Sequence, residues 1–152
     1  MSDISVFLKD KKKPTPNVKI AVCDDFKDAN GNVIEWEIKK LTTREISDAR
    51  TLCTQIKKTK GKGPGEFVVD SERLLRVLTA KSVVYPDLAD KTIADSYMSE
   101  YPMDERTPEN LVMLMLSDKD DFEKLAFAVT KLNNLVDKLD DDENEAVDTA
   151  KN

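Results

Sequence analysis

Histidine is absent from all 152 residues. Its absence excludes every Ser–His and Cys–His nucleophile pair and every zinc site built on imidazole. Cysteine occurs only as Cys23 and Cys53, lone residues without metal-ligand spacing; both read as reduced core thiols of a cytosolic protein, a disulfide between them being the alternative that nothing in the sequence favours. Glycine is scarce, and three of the four glycines sit in "KTKGKGPGE", residues 58–66. That stretch lacks the Gly-Lys-Ser/Thr ending of a phosphate cradle and follows a helical pattern rather than a strand, so it reads as a basic surface loop. Long apolar runs are missing as well. The longest, "LVMLML" at 111–116, falls far short of the roughly 20 residues that span a bilayer. No apolar leader follows the first charges, so no secretory signal is expected.

An excess of positive charge is also lacking. The net charge is −6, and residues 137–152 hold seven carboxylates against two lysines. The remaining body is nearly neutral, which argues against a dedicated nucleic-acid binder. The acidic, aromatic-free tail is expected to be disordered. "SDKDD" lacks the glycine and distal glutamate of a calcium loop and suits a helix start instead. No catalytic, cofactor or metal residue is expected, and the chain does not read as an enzyme.

What is present is helical pattern around one β signal. Residues 1–17 are an N-terminal arm and linker: Ile4, Val6, Phe7 and Leu8 precede a charged, proline-broken stretch, and the arm is read as docked on the body or free, with docking favoured. "VKIAVCDDF" and "NVIEWEIKK" alternate in polarity around "KDANG". A three-residue loop, Ala29-Asn30-Gly31, pairs Phe26 with Ile34 and Val22 with Ile38, and places Ile20, Trp36 and Ile38 on the same apolar face. Thr42 and Glu45 form a capping box with Leu41 and Ile46 as its staple. Asp70 or Ser71 caps a central helix that Pro86 ends. Thr107 with Pro108 starts another, and the pattern begins again at Ser117. The expectation is an α+β, helix-dominated single domain over 18–136, with one hairpin (18–40), helices at about 43–57, 70–85, 88–97 and 108–136, and disordered N- and C-terminal segments including the tail at 137–152.

One pattern suggests binding. Apart from Met1, all methionines lie at 98, 103, 113 and 115. Core filling is the plainer reading of these adaptable side chains, but "LVMLML" has more apolar residues than one helix face buries. Leu111, Met113, Leu114 and Met115, with Met98 and Met103, are therefore the candidate partner-binding residues.

The hairpin in "DDFKDANGNVIEWEIKKLTTRE", then "VVYPDLADKTIADSY", then "LMLSDKDDFEKLAFAVTKLNNL", in this order, resemble the XkdN-like tail assembly chaperones of phages and prophage-derived tails in Gram-positive bacteria. Trp36 and the segment holding Pro86, Leu88, Asp95, Ser96 and Tyr97 carry most of the likeness. Two departures stand out: "MSEYPMDERTPEN" after Tyr97, and Asp120-Asp121 before Phe122. The resemblance implies a chaperone that binds the tape measure protein in the host cytoplasm, keeps it soluble, promotes tail tube assembly, and is absent from the mature particle. It implies tail tube protein as a second partner through a frameshift-extended form, no membrane or specific nucleic-acid partner, and room for self-association. The alternative is a structural adaptor retained in the tail.

Overall fold

The structure, a computed structural model, describes residues 4–57, 61 and 63–135. Its architecture is α+β. Strand β1 (Val18–Ile20) runs antiparallel to β2 (Trp36–Ile38), with Val18 opposite Ile38 and Ile20 opposite Trp36. At the tip the expected loop is present. Asp28 N–H donates to the Asn32 carbonyl at 2.9 Å, and Asp28 Oδ1 accepts from the Asn30 and Asn32 amides at 2.8 and 3.0 Å. Gly31 sits at φ +83°, a conformation that suits glycine. Ile34 N–H donates to the Phe26 carbonyl at 2.8 Å.

The register expected further back does not hold, since Val18 and not Val22 faces Ile38. Val22 and Cys23 are consecutive and both buried, at 2% and 4% exposure. A regular strand would send them to opposite faces, so the chain leaves the ladder to place both in the core.

Helix α1 (Thr43–Leu52) starts with the expected capping box. Thr42 Oγ1 accepts from the Glu45 amide and Glu45 Oε1 accepts from the Thr42 amide, each at 3.1 Å. Thr42→Ala should lower stability by about 1 kcal/mol, read as a shifted urea midpoint with an unchanged slope. The helix was expected to run to residue 57 but stops at Leu52. Thr54 Oγ1 donates back to the Arg50 carbonyl at 2.7 Å, and the Asp70 amide takes the Cys53 carbonyl at 2.9 Å. Strands β3 (Thr54–Lys57) and β4 (Glu66–Val69) then pair antiparallel, with Ile56 opposite Phe67. This second hairpin corrects the expectation of one. Gly65 is needed beneath it, because a Cβ there would lie 2.7 Å from Ile56 Cγ2 and 3.1 Å from the Lys57 carbonyl oxygen.

Asp70 caps α2 (Ser71–Ser82) by accepting from the Arg73 amide at 3.1 Å. The helix was expected to reach residue 85. Instead Val83–Tyr85 form β5, which pairs antiparallel with β2 to give the order β1-β2-β5. The buried Ser82 hydroxyl donates to the Lys39 carbonyl, and the Lys39 amide donates to the Ser82 carbonyl at 2.8 Å. That exchange holds the chain against β2, where two β-branched residues and a tyrosine favour extended backbone. The Tyr85–Pro86 peptide is cis.

Helix α3 (Lys91–Met98) follows, starting three residues after the expected position 88 because Asp90 supplies its cap. The segment expected over 108–136 is two helices, α4 (Pro108–Met115), capped by Thr107, and α5 (Lys119–Leu132), capped by Asp118 rather than Ser117. Helix α2 is central and packs on α1, α4 and α5. One core cluster joins Trp36 and Ile38 of the sheet to Met98, Leu111, Val112, Leu125 and Val129. A second holds Leu41, Ala49, Cys53, Val77 and Leu78. Asn133 links the chain near both clusters, accepting from the Leu41 amide at 2.7 Å and donating to the Val129 carbonyl at 2.8 Å.

The favoured docked arm is not observed. Residues Ile4–Phe7 and Lys9–Lys11 form two 3-10 turns with no buried residue. Ile4 and Phe7 are 78% and 80% exposed. The expected disorder of the acidic tail at 137–152 lies outside the described residues.

Candidate partner-docking groove

Four segments that are remote in sequence converge on one apolar groove of about 340 Å³. The hairpin supplies Phe26, Ile34 and Trp36; the end of β5 supplies Tyr85 and Pro86. Helix α3 adds Ile93 and Tyr97 with the hydroxyls of Thr92 and Ser96, and α4 adds Met115.

Each contribution follows from local chemistry. The Asp28–Gly31 turn brings Phe26 against Trp36, ring centroids 6.1 Å apart at 44°, a tilted contact that suits aromatic quadrupoles. Trp36 is 1% exposed, so it forms the floor. On α3, Asp90 accepts from the Thr92 and Ile93 amides at 2.8 and 3.3 Å. Helical spacing then puts Ile93 and Tyr97 on one face. Tyr85 and Tyr97, 51% and 37% exposed, stand at the rim. The groove therefore has an aliphatic and aromatic floor with hydroxyls at its edge, the chemistry that receives an apolar helix face. A second cleft of about 450 Å³ between Leu52, Ala80, Leu88 and Pro108 has Lys81, Asp87 and Glu109 among its walls; it lacks aromatic side chains.

The connection after α3 is tied down by Arg106. Its Nε and Nη2 donate to the Tyr101 and Ser99 carbonyls, both at 3.0 Å, and Nη1 lies 3.7 Å from Asp95 Oδ1. The unusual "MSEYPMDER" stretch is thereby fixed beside the helix that lines the groove.

The candidate binding residues do not form one surface. Met98 and Leu111 are core, at 1% and 0% exposure. Leu114 and Met115 are half-buried against the same cluster, and only Met115 lines the groove. Met113 is exposed on another side of α4, since two helical steps turn the chain by about 200°. Met103, 78% exposed, stands on the 3-10 turn Met103–Glu105. The run "LVMLML" is thus largely absorbed by core packing, with Leu111, Val112 and Leu116 buried. Sequence reading missed Phe26, Ile34, Tyr85, Ile93 and Tyr97 as groove residues. The only signal that could have found them was their place in the segments carrying the family likeness.

Both thiols are free and buried. Neither sits on a regular element, as Cys23 follows β1 and Cys53 is the residue ending α1. Burial pushes Cys23 up to about 11, with smaller upward contributions from the Asp121 and Asp25 side chains opposed by a backbone hydrogen bond at Asp25. Burial also raises Cys53. Both are thiols at neutral pH, and the thiolate is the reactive form. Labelling by an aromatic disulfide reagent at pH 8 should therefore be at least about 100-fold slower in the native protein than in denaturant. Among the described residues no group of three Cys, Asp or Glu side chains is placed to hold a metal ion. No helix among them is long and apolar enough to cross a membrane.

A family model described as phage XkdN-like tail assembly chaperone protein matches residues 4–151. The chain is 27% identical over 144 residues to the phage-like element PBSX protein XkdN of Bacillus subtilis (strain 168), covering 95% of this chain and 93% of that protein. It is 28% identical over 102 residues to protein YqbN of the same organism, covering 67% of this chain and 68% of that one. The fold is similar to a crystal structure of YqbN, with a TM-score of 0.68 and 19% identity over 88% of this chain and 98% of that chain.

Proposed function

The chain belongs to the phage XkdN-like family of tail assembly chaperones, and we propose that it binds the tape measure protein through the groove beside Trp36, keeps that protein soluble and promotes tail tube assembly around it. The observation that carries this reading is the groove itself: an open, largely apolar surface with hydroxyls at its rim. A long helical partner exposes an apolar stripe before its own assembly partners cover it. Covering that stripe reversibly removes apolar area from water and so suppresses aggregation. Tyr97, Tyr85 and Met115 make the direct contacts in this proposal, Leu114 supports Met115 from α4, and Met98 and Leu111 hold the floor from within the core. Met103 and Met113 lie outside the groove and add peripheral contacts.

The tail tube protein is the second proposed partner, engaged by a frameshift-extended form. The place of action is the host cytoplasm, and the chaperone leaves before the particle is complete. Mass spectrometry of purified particles tests this point: the chain should be missing from particles that contain tape measure protein. Its presence at a fixed ratio to the tape measure would favour an adaptor retained in the tail. Met113→Lys gives a second check. It should change partner affinity by no more than about two-fold, because the exposed side chain lies on another side of α4 from the groove and contacts outside an interface core carry little binding energy.

A further inference from the structure

Helix α3 is the wall of the groove least able to hold its own place. It supplies Thr92, Ile93, Ser96 and Tyr97 to the lining, yet it is only 8 residues long and buries Met98 alone. A helix this short is marginal without ties to the rest of the fold. The other walls are firmer. The hairpin side rests on Trp36 in the core, and α4 buries Leu111 and Val112. We infer that Arg106 is a positioning residue for partner binding: it fixes the end of α3 against the start of α4, so the groove stands at its binding width before a partner arrives.

The backbone of Arg106 belongs to the start of α4. Thr107, the next residue, accepts from the Asn110 amide at 3.2 Å through Oγ1, and Asn110 Nδ2 donates to the Glu105 carbonyl at 2.7 Å. The side chain reaches back to α3. Nη2 donates to the carbonyl of Ser99, the residue that caps α3, and Nε to that of Tyr101, both at 3.0 Å. The Tyr101 amide closes the same turn on the Met98 carbonyl at 3.1 Å. Carbonyls at a helix C-terminus lack intrahelical partners, and a cation there also meets the negative end of the helix dipole.

Magnitudes separate the contacts. Nη1 lies 3.7 Å from Asp95 Oδ1, and the Asp95 side chain is 50% exposed; ion pairs of that kind contribute little. The two carbonyl bonds have a charged donor and are set by one rigid plane, so they carry the clamp. A lysine at this position would keep a positive charge near Asp95 and lose the planar fork.

The inference rests on the groove as the tape measure site, so one readout is independent of any partner. Trp36 is the only tryptophan in the chain and lies at the groove floor, 1% exposed. Acrylamide quenching of its fluorescence in the native full chain therefore reports access through the groove. Arg106→Ala should raise the quenching constant by about two-fold or more, because α3 opens locally. It should also weaken binding of a soluble tape measure fragment by about 10-fold, since a wall that must be ordered on binding costs affinity. Arg106→Lys should behave like Arg106→Ala in both measurements. A residue with a structural role only would move the urea midpoint and leave native quenching at the wild-type value, and that result would overturn the inference. Wild-type quenching and affinity in the lysine variant would overturn it too, because a point charge would then suffice. If the wild type binds no fragment, the function proposed for the groove fails, and the quenching comparison decides the role of Arg106 by itself.

Discussion

Trp36→Ala is expected to be the most damaging single substitution in this protein, costing about 3–5 kcal/mol by the precedent of large aromatic truncations in cores. Trp36 is 1% exposed and is central to the cluster that joins the sheet to α3, α4 and α5. Phe26 loses its ring partner in the same step, so the groove floor and the domain core fail together. Small domains have only about 5–15 kcal/mol of stability in total. The variant should therefore unfold at a much lower urea concentration, or remain partly unfolded in its absence. A midpoint within about 1 kcal/mol of wild type would show that the hairpin is an appendage rather than part of the core.

Tyr97→Asp should do the converse, leaving the fold in place while reducing tape measure affinity by about 100-fold or more. Tyr97 is 37% exposed at the groove rim, so its loss opens no internal cavity. An aspartate there would set an unpaired charge against the apolar face of a docked helix, and burying such a charge costs several kcal/mol. Aromatic anchors of this kind dominate interface energetics. Titration of a soluble tape measure fragment, with a urea melt of the same preparation, separates binding from folding. Loss of binding with an unchanged melt supports the groove; unchanged binding moves the contact surface elsewhere.

The parts of the fold that were legible in the sequence are those governed by neighbours in the chain. Thr42 with Glu45, Asp70, and Thr107 with Pro108 mark helix starts because a side chain there meets amides two or three residues on. The hairpin tip was legible for the same reason, since Asp28, Asn30 and Gly31 close it locally. The strands at 54–57 and 83–85 were not. Ile56 continues the helical spacing of α1, yet it is 66% exposed and pairs with Phe67. Val83–Tyr85 continues α2 in pattern but pairs with β2, whose residues lie far earlier in the chain. Such pairings depend on distant partners that no local window contains.

The groove was hidden for the same reason. Its lining comes from Phe26, Trp36, Tyr85, Tyr97 and Met115 on different elements, and only the folded chain brings them together. The methionine cluster pointed toward the right region through Met115 but also included Met98, which is core. A residue type chosen for adaptability serves cores and surfaces alike, so its clustering in sequence does not separate the two.

Co-expression of the full chain with the long helical tape measure protein of the same tail system, followed by capture on a tag, tests the central claim most directly. The account predicts that the tape measure is insoluble alone, becomes soluble with this chain, and co-purifies with it at fixed stoichiometry. A tape measure that stays insoluble, with this chain soluble and unbound beside it, would contradict the claim.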